Sequence, residues 1–281
     1  MIENLALRYN DTVGEEIAGL LSKLPHLSRL VVDGSINTEI APFFSFGRHA
    51  NSLRSFMYSC SIIQEIDCKD ISNTLVAEMP NLTSLRLNLA MTTLLNFSDF
   101  QLMTIKELDI CCRRLDGCLT LSQNVLSVTK LKLSTQTGSA EEIATVLNNF
   151  TNLNSLELDF FRNHDILFNA TLMEALVGLN SLKYFSFFGA YYSKEKYTIN
   201  EGEKSALVKV LVALKNVEKI KIEFCQQSYY DDDLVTAVNN LTVKRPQQNI
   251  QLIIPDDDFD NDLNDLYDTN YRENYSDGYS D

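Results

Sequence analysis

The sequence predicts an α/β solenoid, one elongated domain of stacked strand-and-helix units, and three observations carry that reading. A short pattern, apolar-x-x-apolar-x-apolar, recurs at intervals of roughly 23 to 35 residues along almost all of the 281-residue chain. Its closing apolar-x-apolar pair has the period of two that turns both side chains to one face of a strand. The segments between several of these patterns carry apolar residues at three- and four-residue spacing, the period of an amphipathic helix. A unit of this size buries its apolar face only by stacking on its neighbours, so the array is what folds.

Taken in order, the strand anchors are Ile2/Leu5/Leu7, Leu27/Leu30/Val32, Leu53/Phe56/Tyr58, Leu82/Leu85/Leu87, Ile105/Leu108/Ile110, Val128/Leu131/Leu133, Leu153/Leu156/Leu158, Leu182/Phe185/Phe187 and Val217/Ile220/Ile222. A degraded Ile250/Leu252 closes an array of about ten repeats. Helices are predicted over residues 15–24, 140–150, 171–179, 203–214 and 232–241. Ser139, followed by Ala140, Glu141 and Glu142, is the expected N-cap of the second of these, with acidic side chains where the helix dipole favours them. A helix is about 10 Å wide and neighbouring strands sit about 4.8 Å apart, so such an array must curve, strands on the concave side and helices on the convex side.

The net charge of -14 is unevenly spread: residues 255–281 hold ten acidic side chains against the single Arg272. The domain is therefore read as residues 1–254, mildly acidic, followed by an acidic tail over 255–281 whose composition predicts disorder. Within the tail Phe259, Leu263, Tyr267, Tyr271, Tyr275 and Tyr279 fall every fourth residue, a stripe that a partner could order into a helix. No basic patch is large enough to predict nucleic-acid binding. The first ten residues lack the apolar core of a signal peptide, and no run approaches the roughly 18 apolar residues of a membrane span, so a cytoplasmic or nuclear location without membrane attachment is expected. Six cysteines, at 60, 68, 111, 112, 118 and 225, show neither zinc-ligand spacing nor disulfide-scaffold density and are expected to be reduced thiols.

On these residues the chain resembles the leucine-rich repeat superfamily, in its ribonuclease-inhibitor-like branch. The resemblance covers residues 1 to about 254 and implies a right-handed horseshoe. Two repeats keep the family's polar or cysteine closing residue, at Asn10 and Cys225; elsewhere the position holds Ser35, Ser61, Ala90, Arg113, Gln136, Phe161 or Ala190. Such irregular repeats look most like those of F-box/leucine-rich-repeat proteins, which implies capture of a protein ligand. No Leu-Pro-rich F-box pattern precedes the first repeat, so a ubiquitin-ligase adaptor is an expected partner only if that domain is missing from this chain. Acidic-tailed Ran GTPase-activating proteins and repeat-built enzyme inhibitors resemble it more distantly. The repeat starting at Ile2 has no visible polar cap, an end that a preceding domain or self-association would cover.

The concave face should display the residues between the anchors, and the candidate protein-binding set follows from them. The middle column reads Ala6, Val31, Met57, Arg86, Asp109, Lys132, Glu157, Ser186, Lys221 and Gln251, flanked by Glu107, Lys130, Asp159, Lys219 and Glu223. Alternating signs from Arg86 to Glu157 predict a cross-strand charge ladder worth at most about 1 kcal/mol per contact, doubling as a mixed-charge recognition strip. Tyr184, Phe188 and Tyr191 are expected to be exposed aromatic anchors, with Phe161 and Phe187 in the core. No catalytic constellation is legible: His26, His49 and His164 lie in unrelated repeats, and no phosphate loop or nucleophile elbow occurs. Asp256, Asp258, Asp260 and Asp262 mimic a calcium loop, but Asn261 stands where glycine is needed and Tyr267 where glutamate is needed. The chain is expected to be a non-enzymatic interaction module without cofactor or metal.

Overall fold

A computed structural model describes residues 2–9, 21, 23–34, 51–60, 79–89, 104–114, 126–161, 169–190, 201–224 and 232–254. Ten strands form one open parallel sheet in sequence order: β1 (Asn4–Tyr9), β2 (Arg29–Gly34), β3 (Ser55–Cys60), β4 (Ser84–Leu89), β5 (Glu107–Arg114), β6 (Lys130–Thr137), β7 (Ser155–Phe161), β8 (Tyr184–Ala190), β9 (Lys219–Phe224) and β10 (Asn249–Ile253). Four helices are described: α1 (Ala140–Leu147), α2 (Ala170–Gly178), α3 (Glu201–Ala213) and α4 (Asp232–Lys244). The predicted helix over 15–24 and the tail over 255–281 lie, save for residues 21, 23 and 24, outside the described residues.

One hydrogen-bond arrangement repeats at the start of each strand from β2 to β9. The carbonyl of Ser28 accepts the amides of both Arg54 and Ser55; Lys106 does the same for Thr129 and Lys130, Thr129 for Asn154 and Ser155, and Lys183 for Glu218 and Lys219. Ahead of several strands a tight turn closes between two apolar residues, as in Leu27 N–H to Leu24 C=O at 3.1 Å and Leu82 N–H to Met79 C=O at 3.0 Å. Side chains extend the ladder: the Asn81 amide donates to the Asn51 carbonyl at 2.7 Å, and Asn152 to Leu126 at 2.9 Å. The polar groups exposed by each turn are thus satisfied by the next turn in the stack.

With the register fixed in this way, the anchors stack residue on residue. Leu85, Leu108, Leu131, Leu156, Phe185 and Ile220 form one file and Leu87, Ile110, Leu133, Leu158, Phe187 and Ile222 the next. All are buried in a single core that runs from Leu21 to Ile250. The buried sides of α1, α2 and α4, through Ile143, Leu147, Leu172, Leu176, Leu234 and Val238, close the same core. α1 begins where expected: the Ser139 hydroxyl accepts the Glu142 amide at 3.2 Å and the Glu142 carboxylate accepts the Ser139 amide at 2.9 Å, a reciprocal capping box. Asn169 caps α2 by accepting from Leu172 N–H at 2.9 Å, and its amide reaches the Glu141 carboxylate of α1.

Two expectations change. Ile2 is 51% exposed, and Leu5 and Leu7 are only half-buried, because nothing among the described residues stacks on the outer side of β1. The inward file also extends one step further than the sequence pattern implied: Cys112, Thr135 and Phe160 are all buried, and the Phe160 ring meets that of Phe187 at 5.5 Å between centroids. Phe160 is a core aromatic at the end of β7, and the expected core position of Phe161 falls on a side chain outside the described residues. At the last repeat, where Ile250 and Leu252 still pack on the core, polar residues add to the apolar stacking. Buried Gln248 donates to the Leu214 and Val217 carbonyls at 2.9 and 2.6 Å, and Arg245 donates to those of Leu211 and Val212 at the end of α3.

Leu156 is fully buried in the middle of this stack, so Leu156→Asp places a carboxylate where no partner can reach it. A loss of about 4 kcal/mol or more is expected in denaturant titration. A loss below about 1 kcal/mol would show that this file does not face the core.

Candidate functional site on the polar face of the sheet

The side chains between the anchors point to the other face, and the strand register lines them up as three columns. The middle column runs Ala6, Val31, Met57, Arg86, Asp109, Lys132, Glu157, Ser186, Lys221 and Gln251, as the sequence predicts. The column nearer the strand starts includes Glu107, Lys130, Tyr184 and Lys219; the column nearer their ends includes Asp159, Phe188 and Glu223. Every candidate residue except Tyr191 therefore sits on one surface. Tyr191, His49, His164 and the Asp256–Asp262 cluster lie outside the described residues, and His26 is exposed in a turn. An open depression of about 260 Å³ follows the columns from Arg29 to Glu157, with Arg86, Asp109, Lys130 and Lys132 along it.

The charges are paired, although not as a simple rung-by-rung ladder. Arg86 Nε donates to Asp109 Oδ2 across β4 and β5, and Lys130 Nζ to Glu107 Oε1 at 2.6 Å across β5 and β6. Lys132 departs from the alternation: it bonds diagonally to Asp159 at 2.7 Å and stands 3.9 Å from Glu157, its direct neighbour. Asp159 also accepts the hydroxyl of Ser134, a side chain buried on this face, and is only 14% exposed. Lys221 pairs within its own strand with Glu223 at 2.6 Å.

Lys132 is thus the electrostatic centre of the strip. Burial alone would lower its pKa, but the hydrogen bond and field of Asp159, with Asp109 and Glu157 behind, outweigh burial and hold it above the ordinary 10.5. Lys221 is also raised, chiefly by its bond to Glu223. Between Asp109 and Asp159 on the same face lies Cys111, whose thiol is pushed up to about 11 by burial first and by those two carboxylates next. It is a protonated, weakly nucleophilic group at neutral pH. Cys111 and its neighbour Cys112 are both free thiols.

Two aromatic side chains complete the face. Tyr184 is half-buried with the Lys219 ammonium 5.5 Å from its ring centroid, a cation–π contact, and Phe188 is half-buried four residues further along β8. Among the described residues no group of three or more His, Cys, Asp or Glu is placed to hold a metal ion, and no helix is long and apolar enough to cross a membrane. No protein-family model matches the chain, and no curated protein matches its sequence. The class of protein is accordingly defined by geometry: an α/β repeat array with one apolar face covered by helices and one open polar face.

Two outcomes follow from the electrostatics. Lys130 is 59% exposed and its pair with Glu107 contributes at most about 1 kcal/mol, whereas removing Lys132 leaves the part-buried Asp159 with only Ser134 among the described residues and takes away the cation between Asp159 and Glu157. Lys132→Met is therefore expected to cost about 1–2 kcal/mol more than Lys130→Met in urea titration, and equal costs would refute the central role of Lys132.

The second outcome concerns Cys111. The folded chain keeps a thiol proton that the unfolded chain releases above its ordinary 9.0, so this contribution to stability is complete below pH 9 and is lost as pH rises toward about 11. The difference in thiol-reagent labelling between native wild type and Cys111→Ser should be small at pH 8 and grow toward pH 11. Rapid labelling of Cys111 at pH 8 would contradict the assignment.

Proposed function

We propose that the chain is a leucine-rich-repeat interaction module, a curved horseshoe that takes a protein ligand on the polar face of its sheet. The observation that carries this reading is the combination of half-buried Tyr184 and Phe188 with a strip of already paired charges on a face the described helices leave bare. Aromatic side chains beside charge are the commonest energetic anchors of protein interfaces. Charges held by one another before binding lose little freedom when a partner docks. The strip alternates in sign, which suits a mixed-charge protein surface and not a polyanion. Helices stacked behind strands at unequal spacing would make this face concave.

On this reading the chain corresponds to the substrate-capturing part of an F-box/leucine-rich-repeat receptor, and capture alone is what carries over. Affinity purification with identification of bound proteins separates this from its rivals. Adaptor and ligase subunits beside the ligand would extend the assignment to ubiquitin transfer. A small GTPase would instead make the chain a GTPase regulator, and a stoichiometric enzyme would make it an inhibitor.

The face itself is tested by substitution. Tyr184→Ser combined with Phe188→Ser is expected to weaken capture of the recovered partner at least tenfold while the circular dichroism spectrum and unfolding midpoint stay close to wild type. Undiminished capture by a folded double variant would remove these aromatics from the interface. Loss of folding would instead return them to the core.

A further inference from the structure

The cations of the polar face differ in one respect. Arg86, Lys130, Lys132 and Lys221 each have a carboxylate partner, and Lys219 lies over Tyr184. Arg29, exposed at the start of β2, has neither an ion pair nor a side-chain hydrogen bond with any described residue. Its neighbours in the same column are Asn4 and Ser55, with Ser84 one strand beyond Ser55 and Glu107 beyond that; Ser55 and Ser84 are half-buried hydroxyls that also lack a partner among the described residues, and with Arg29 they line the depression. Beside them the middle column changes character. Where β4 to β7 carry Arg86, Asp109, Lys132 and Glu157, strands β1 to β3 carry Ala6, Val31 and Met57, the last two half-buried.

We infer that Arg29, Ser55 and Ser84 form a carboxylate subsite, with Val31 and Met57 as its apolar floor, for an extended acidic segment of the protein ligand. The inference rests on the proposed function and specifies the chemistry of that ligand. A guanidinium offers two parallel N–H donors matched to a carboxylate, and the adjoining hydroxyls supply further donors to the same anion. On this face Arg29 and Val31 stand two residues apart on one strand, about 6.6 Å. A ligand strand spans the same distance between an acidic residue and an apolar residue two positions on, so both groups are met at once. The paired charges of β4 to β7 offer an anion no such site, because each cation described there, Arg86, Lys130 and Lys132, already has a carboxylate partner.

The test uses the full chain with ¹³C-labelled methionine methyl groups and two capped peptides, Gly-Asp-Ser-Leu-Gly and Gly-Asn-Ser-Leu-Gly. The acidic peptide at millimolar concentration is expected to shift the Met57 methyl resonance, assigned through Met57→Leu, and to do so less at high salt, while the Asn peptide leaves it in place. Arg29→Gln should raise the dissociation constant at least tenfold with the other methyl resonances unmoved, and Lys209→Gln, on the exposed side of α3, should not change it. Equal shifts from both peptides, or unaltered binding by Arg29→Gln, overturn the subsite. A Met57 resonance that moves with salt in the free chain and does not respond to added peptide would also overturn it, because the occupant would then be the chain's own acidic tail. The recovered partner, assayed on the same variants, separates the two levels: retention by Arg29→Gln with loss by the Tyr184/Phe188 variant discards the subsite and keeps the face. Indifference to every face substitution discards both.

Discussion

Each strand from β2 to β9 starts where one carbonyl of the preceding unit accepts two consecutive amides of the next, and the rest of the molecule is placed by that contact. It fixes the register to the residue. Since side chains alternate with a period of two, a slip of one residue would send Leu131, Leu156 and Phe185 to solvent and Lys132, Glu157 and Ser186 into the core. The same contact explains why the polar face is organised at all. Residues scattered over a hundred positions of sequence, such as Arg86 and Lys221, share a column because each strand copies the register of the one before.

Coupling only between neighbours has a consequence at the ends. An interior strand is held on both sides, an end strand on one. β1 shows this as incomplete burial of Leu5 and Leu7. The last repeat meets the same problem differently: Arg245 and Gln248 tie it to the carbonyls of the repeat before, so hydrogen bonds supplement the apolar contacts of Ile250 and Leu252. A buried amide is tolerated there because its donors have two carbonyls at 2.9 and 2.6 Å.

Much of this was legible in the sequence, for a physical reason. The strands repeat a period-two pattern with bulky anchors, and aligning the anchors aligns every residue between them, so the ten-residue middle column follows from spacing alone. The Ser139 cap was legible because capping is local. What escaped depends on contacts between repeats. Thr135 is buried because the inward file continues one step past the three-anchor pattern, which does not show how far each strand runs. Lys132 bonding to Asp159 instead of only to Glu157 is a choice between two neighbours that spacing cannot rank. The burial of Gln248 rests on two carbonyls of the preceding unit, which no pattern along the chain displays. Arg29 stands out only once the other described cations of the polar face have been given their carboxylate or ring partners.

Native-state hydrogen exchange measured amide by amide tests the nearest-neighbour account most directly. The amides of Lys130, Ser155 and Tyr184, held by the carbonyls of Lys106, Thr129 and Asn154, should exchange only through the largest opening of the array. Those of Arg29, beside the open β1 end, should exchange markedly faster. Fast exchange at the three interior amides, or protection no greater there than at Arg29, would contradict the account.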